Sequence, residues 1–267
     1  MIFETHAHYD DEAFQEDREE LLARMKASGI GRIVNIGASI ETTKAALELA
    51  KQYDFIYAAA GVHPSDIDGL NEETFAWLKE QMAWEKTVAV GEIGLDYYWE
   101  KNPEQQEKQK YWFRRQMELA AEASLPVVIH SREAAKDTMD ILKNFDLGER
   151  RGVIHCYSYA KEMALAYVEM GYFIGVGGVI TFKNAKKLVE TVEAVPLERI
   201  VLETDSPYLA PEPHRGKRNT SLNLPYVVDK IAEIKGISAE EVESVTWENA
   251  LRLYPKVQNC KADSSVN

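Results

Sequence analysis

The chain has 267 residues, with 31 Lys and Arg against 44 Asp and Glu, a net charge of −13. An apolar share of 45% is ample for a buried core and excludes disordered and fibrous classes, and no run of about 18 apolar residues marks a membrane span. So acidic a chain does not coat nucleic acid by charge alone, because phosphate binding needs clustered Lys and Arg, although a bound divalent cation reverses the sign locally.

The start, Met1-Ile2-Phe3-Glu4-Thr5-His6, has neither the basic nor the apolar region of a secretory leader. Cys156 and Cys260 make no ligand spacing, a pattern expected of a cytoplasmic, reducing location. In chain order, apolar β-rich runs predict strands over 2–5, 31–36, 55–59, 88–92, 126–130, 152–155, 172–175 and 200–203. Amphipathic runs predict helices over 13–28, 42–53, 73–83, 104–123, 133–144, 161–170, 184–194 and 221–235, the first carrying Phe14, Leu21, Leu22 and Met25 on one stripe. A short helix pair is expected to end near Leu253, and the polar segment 257–267 reads as a flexible tail. Strict alternation implies parallel strands with right-handed crossovers. Eight repeats in a chain of this length favour a closed (β/α)8 TIM barrel, one domain over 1–256, with a doubly wound sheet as the alternative.

The chemically useful residues fall at the carboxyl ends of these runs. The first strand is followed by His6-Ala7-His8, the third by Gly61-Val62-His63-Pro64, and the fourth ends in Gly91-Glu92-Ile93-Gly94-Leu95-Asp96. The fifth ends in His130-Ser131-Arg132, the sixth in His155-Cys156-Tyr157-Ser158, and the eighth in Glu203-Thr204-Asp205-Ser206-Pro207. Barrel active sites lie at this face, built from strand ends and the loops that follow. A lone loop histidine is usually solvated or capping, and an isolated His-x-His pair is mostly incidental, even though its side chains share one face of a strand. Five histidines, Glu92 and Asp205 recurring at one place in a repeating unit point instead to a metal site.

Mixed imidazole and carboxylate ligation suits Zn²⁺, Mn²⁺ or Fe²⁺, whereas Mg²⁺ prefers oxygen. His6, His8 and Asp205 form one candidate site and His130 with His155 a second, and Glu92, with two oxygens, can bridge them. Two cations about 3.5–4 Å apart neutralise both oxygens of an in-line displacement. Asp205 can act both as a ligand and as the base that orients the attacking water, so Asp205 and Glu92 are the catalytic candidates. His63 is open between a metal and a substrate phosphate.

His214-Arg215-Gly216-Lys217-Arg218-Asn219 is the densest basic stretch. It reads as a solvated loop or as a clamp on phosphate oxygens, with Arg215 and Arg218 as forks and Lys217 as a point charge. Gly175-Val176-Gly177-Gly178 lacks the Walker lysine and the dinucleotide spacing, so close backbone approach is the better account. Tyr97, Tyr98 and Trp99 either stack on bases or pack loop on loop.

Taken together and in order, Thr5-His6-Ala7-His8, Gly61-Val62-His63-Pro64, Gly91-Glu92-Ile93-Gly94-Leu95-Asp96-Tyr97, His130-Ser131-Arg132, His155-Cys156, 203–209 and 215–219 resemble the TatD family of metal-dependent deoxyribonucleases, a branch of the amidohydrolase-like barrels. The resemblance runs from residue 1 to about 254. It implies a hydrolase of phosphodiester bonds in DNA, typically a 3′→5′ exonuclease. It also implies two divalent ions (Mg²⁺, Mn²⁺ or Zn²⁺) held by His6, His8, Glu92, His130, His155 and Asp205, and DNA as partner, single-stranded or at frayed ends. The nearest rival is hydrolysis of another ester or amide, such as an aminoacyl-tRNA ester. The departures are Glu4 where the family usually has Asp, Tyr159 within a 155–159 run that replaces a more usual one and is expected to reshape the mouth, and Ser221 where Pro is common.

Overall fold

The computed structural model describes residues 1–145, 147–148 and 151–259. Its strands are β1 (Ile2–Ala7), β2 (Ile30–Ile36), β3 (Ile56–Ala60), β4 (Thr87–Asp96), β5 (Val127–Arg132), β6 (Gly152–Ile154), β7 (Phe173–Val176) and β8 (Ile200–Leu202). They form one parallel eight-stranded sheet in sequence order. A parallel bridge between Ala7 and Ser206 and a bond from the Thr5 hydroxyl to the Leu202 carbonyl (2.8 Å) join its edges, so the sheet is a nearly closed barrel and not a doubly wound one. The helices are α1 (Arg18–Arg24), α2 (Ile40–Gln52), α3 (Glu72–Gln81), α4 (Pro103–Ala123), α5 (Ala135–Lys143), α6 (Lys161–Glu169), α7 (Lys186–Ala194), α8 (Leu224–Lys235), α9 (Ala239–Leu253) and α10 (Lys256–Asn259). None is long and apolar enough to cross a membrane.

Local chemistry sets several boundaries. Capping boxes at Ser39 and Asn71 start α2 and α3, and Pro103 in the first turn of α4 follows an Asn102 cap. The continuous helix expected over 13–28 is broken into a 3-10 turn at Glu12–Phe14, α1, and a second 3-10 turn at Lys26–Ser28. Asp11 caps the first turn through the Ala13 N–H, Asp17 leaves helical dihedrals at φ −135, and Gly29 ends the last turn at φ 86. The expected helix pair before Leu253 is the single helix α9, capped by Ser238.

The interior has two layers. Inside the barrel, Phe3, Val34, Tyr57, Val88, Val128, Val153, Phe173 and Val201 pack together, and Ala250, Leu253, Tyr254 and Val257 close the amino-terminal end. Outside it, Ile33, Ile56, Ile129, Ile174 and Ile200 meet helix residues such as Leu47, Leu78, Met117 and Val228. Val257, 1% exposed and within α10, therefore belongs to the floor rather than to the flexible tail expected from that point. The rest of that tail from 260, with Cys260, lies outside the described residues.

A candidate metal centre at the barrel mouth

β1 and β4 deliver their ligands through irregularities in the ladder. Phe3 points into the barrel, and alternation alone would turn His6 the other way; a register shift between Glu4 and Ala7 intervenes. A second shift lies between Val90 and Ile93, at Glu92. Asp205 sits at φ 57, a sparsely populated conformation for a non-glycine residue, with its N–H on the His6 carbonyl at 3.0 Å.

These devices bring the strand ends to one cavity of about 900 Å³ lined by His8, His63, Glu92, His130, His155 and Asp205. His6, 1% exposed, stands behind His8, their Nε2 atoms 3.1 Å apart. Glu92 is the centre. Its Oε2 lies 3.5 Å from His6 Nε2 and 4.0 Å from His8 Nε2. Its Oε1 lies 2.9 Å from His130 Nδ1 and 3.8 Å from Nε2 of both His63 and His155. Asp205 Oδ1 is 3.4 Å from His8, 3.6 Å from His6 and 3.8 Å from His155. The His6 and His155 rings stack at 3.4 Å.

Burial alone would raise the Glu92 carboxyl, but His155, His130 and His6 hold it well below the ordinary carboxylate range. Asp205 is held low in the same way, against its burial, by His8, His155 and His6. Conversely, and also against burial, Asp205 and Glu92 push His8 up to about 9, and Glu203, Glu92 and Asp205 push His155 up to about 10. Protons on imidazoles thus balance the buried carboxylates, in positions a divalent cation would take over.

The partners on the far side of the rings divide the histidines. His8 Nδ1 lies 3.0 Å from the Ile36 carbonyl, which only accepts, so as a neutral ring it turns a lone pair on Nε2 toward the cluster. His155 Nδ1 faces Glu203 Oε2 at 3.2 Å, an ion-pair approach in which neither atom has a hydrogen-bond partner, and its Nε2 faces the cluster. His63 is reversed: the Ser65 N–H donates to its Nδ1 at 3.1 Å, which puts the ring proton on Nε2. Burial, then His130, pushes His63 down to about 4, so it stays neutral and presents an N–H. The atoms of His6, His8 and Asp205 lie within 4.8 Å of one another, as do those of His63, Glu92 and His130. His6 Nδ1 is buried without a hydrogen-bond partner. Apart from His63, whose Nε2 carries a proton, nitrogens and ionised oxygens facing one another at these distances fit divalent cations.

Three supporting carboxylates were not assigned from sequence. Glu203 continues the inward parity of Val201 and takes the Cys156 N–H at 2.6 Å as well as facing His155. Asp96 shares the cavity face of β4 with Glu92; its Oδ2 meets His130 Nε2 at 3.0 Å. Strand parity was the available signal for both. Glu4 lies deeper, accepting from the Thr204 N–H (2.9 Å), the Thr204 hydroxyl (2.7 Å) and the Ser221 hydroxyl (2.9 Å). Glu4 and Ser221, both departures from the family pattern, are therefore bonded to each other. Tyr159, the third, does not itself line the cavity; its hydroxyl bonds that of Ser131, which does, and accepts the Ala134 N–H. The glycines of 175–178 serve close approach: a Cβ at Gly175 would lie 2.3 Å from Glu203 Oε2, and one at Gly178 2.1 Å from the Leu209 carbonyl.

The basic loop does not line the cavity. Arg218 is forked onto Asp17 at 2.8 and 2.5 Å, and Arg215 lies over the Phe182 ring. Lys217 borders a neighbouring depression that shares Asp11, Glu12 and Tyr208 with the mouth. The Arg218 fork is thus already occupied, and Arg132 is the one Lys or Arg among the described residues that line the mouth.

The family model for TatD related DNases matches residues 3–255, and the chain belongs to that family. It is 45% identical over 254 residues to an uncharacterized metal-dependent hydrolase, YabD, of Bacillus subtilis, covering 95% of this chain and 99% of that protein. It is 32% identical over 259 residues to a protein of Erwinia tasmaniensis named 3′-5′ ssDNA/RNA exonuclease TatD, covering 95% and 99%. The crystal structure of YjjV, a TatD homologue from Escherichia coli, matches with a TM-score of 0.88 at 32% identity, covering 95% of this chain and 98% of that one. The chain is thus a metal-dependent hydrolase of the TatD family.

Proposed function

We propose that this hydrolase removes nucleotides from the 3′ ends of single-stranded or frayed DNA by cleaving phosphodiester bonds. The observation that carries the reading is Glu92, whose two oxygens face two separate groups of imidazoles. In this reading His6, His8 and Asp205 would hold one divalent cation and His130 and His155 a second, with Glu92 contributing to the set; Mg²⁺, Mn²⁺ and Zn²⁺ are the candidates. Such a pair supplies Lewis-acid stabilisation of phosphate oxygens and a more acidic water. Asp205, at the cavity wall, would orient the attacking water and take its proton on the carboxylate. His63 donates from Nε2 to a non-bridging oxygen, the role its tautomer allows. Arg132 pairs with the same phosphate or the next. Lys217 meets phosphates farther along the strand, with Arg215 and Arg218 shaping the loop around it.

The test is direct. Protein stripped with chelator and reloaded with each cation is given single-stranded and blunt duplex DNA labelled at either end, alongside aminoacyl-tRNA. Release of mononucleotides from the 3′ end of the single strand, lost on chelation, is the expected result. Faster cleavage of the aminoacyl ester, or no cleavage of any oligonucleotide, overturns the proposal.

A further inference from the structure

The segment after Asp96 carries three aromatic residues that behave differently. Tyr97 packs against the core, and its hydroxyl donates to Asp137 at 2.9 Å. Tyr98 and Trp99 turn outward, 40% and 72% exposed. An indole left this open buries little of its own surface, and its place in the cavity lining leaves an aromatic face free for a ligand.

Its position is fixed rather than incidental. Asp96 Oδ1 accepts the N–H groups of Tyr98 and Trp99 at 2.9 and 3.0 Å, while Oδ2 of the same carboxylate meets His130 at 3.0 Å. One side chain therefore ties the aromatic turn to the metal centre. Tyr98 stands edge-on to Trp99, ring centroids 4.7 Å apart at 86°. The Arg132 guanidinium covers the Tyr98 ring at 3.9 Å and lies 5.7 Å from the indole. Trp99 and Arg132 both line the mouth cavity. The rim thus presents an open π-face beside a cation, in a cavity whose other rim residues include Asp10, Asp11 and Glu12. A bare phosphate gains nothing from the indole, and an acidic rim repels it. A flat, neutral nucleobase attached to a phosphate matches both halves of the pair.

We infer that Trp99, braced by Tyr98 and Arg132, is the platform on which an unpaired nucleobase of the substrate stacks, so that the enzyme selects single strands by their bases as well as by their phosphates. This rests on the nuclease reading and specifies which feature of the strand is recognised. Stacking is tolerant of base identity because every base has a π-face. A base inside a duplex has both faces stacked on its neighbours, so the platform favours ends that have frayed.

The experiment compares wild type, Trp99→Ala and Trp99→Phe on a short oligothymidylate and on the same backbone with abasic residues in the terminal positions. Trp99→Ala is expected to raise KM for the thymidylate about 5- to 140-fold with little change in kcat, as loss of one base stack does. Trp99→Phe retains most of the affinity, and the effect of Trp99→Ala shrinks to about twofold or less on the abasic strand. Equal losses on the two strands, or no loss on either, overturn the platform. Binding to chelated protein, followed by quenching of indole fluorescence with Trp99→Phe as reference, separates this from the parent reading. Thymidylate that quenches Trp99 where the abasic strand does not supports the platform even if no oligonucleotide is cleaved, and absence of that difference rejects it whatever the activity.

Discussion

The two ends of the barrel are built on opposite principles. At the amino-terminal floor, Phe3, Tyr57, Val153, Phe173 and Val201 meet Leu253, Tyr254 and Val257, and the Tyr254 hydroxyl satisfies the Thr5 carbonyl at 3.1 Å. At the mouth, imidazoles and ionised carboxylates are pressed together at 2.9–4.0 Å, and His6 Nδ1 has no partner. The floor stabilises the fold by burying apolar surface. The mouth draws on that stability to hold groups that would separate in water. In a barrel whose chemistry sits at one end, the two can vary almost independently.

Asp205→Asn is the sharpest test of that independence. It is expected to lower kcat about 10²- to 10⁴-fold, the usual worth of a positioned base, while the chelated protein stays folded and loses less stability than Leu253→Ala does. Leu253→Ala is the converse: it should cost about 2–5 kcal/mol in urea unfolding and leave kcat of the folded fraction unchanged. If both variants lost activity and stability together, the separation of the two ends would fail.

Next comes pH. His8 and His155, pushed up to about 9 and about 10, bind their protons more tightly folded than unfolded. The stability they confer is fully present below the ordinary value of 6.5 and is lost as pH rises through the folded values. The melting temperature of chelated protein should therefore fall between pH 6.5 and 9. Cation-loaded protein, whose ligand imidazoles have already released those protons, should show a flatter profile. Equal slopes with and without metal would remove these histidines from the site.

The smallest contrast is within the mouth itself. Arg132→Ala should raise KM for oligonucleotide about 10- to 100-fold, as expected for a charge-assisted contact. Arg218→Ala, whose guanidinium is spent on Asp17, should stay within about twofold. A reversed order would return the basic loop to the phosphate clamp.

The sequence alone determined the repeat of eight strands and helices and the clustering of histidine, Glu92 and Asp205 at strand ends. Both follow from local periodicity, which a chain carries in its own order. It also carried enough motif to imply the family. Only the tertiary structure decided which nitrogen of each histidine faces inward, because the deciding partner is the Ile36 carbonyl for His8, Glu203 for His155 and the Ser65 N–H for His63. It decided that Arg218 is taken up by Asp17, 201 residues away, and that Arg132 and Trp99 stand at the rim in its place. It decided, through a register shift in β1, that His6 turns into the mouth rather than away from it. The physical reason is common to all of these. A hydrogen bond or a shifted register depends on what the fold brings alongside, and the hydrophobic pattern that builds a barrel leaves those polar partners unspecified.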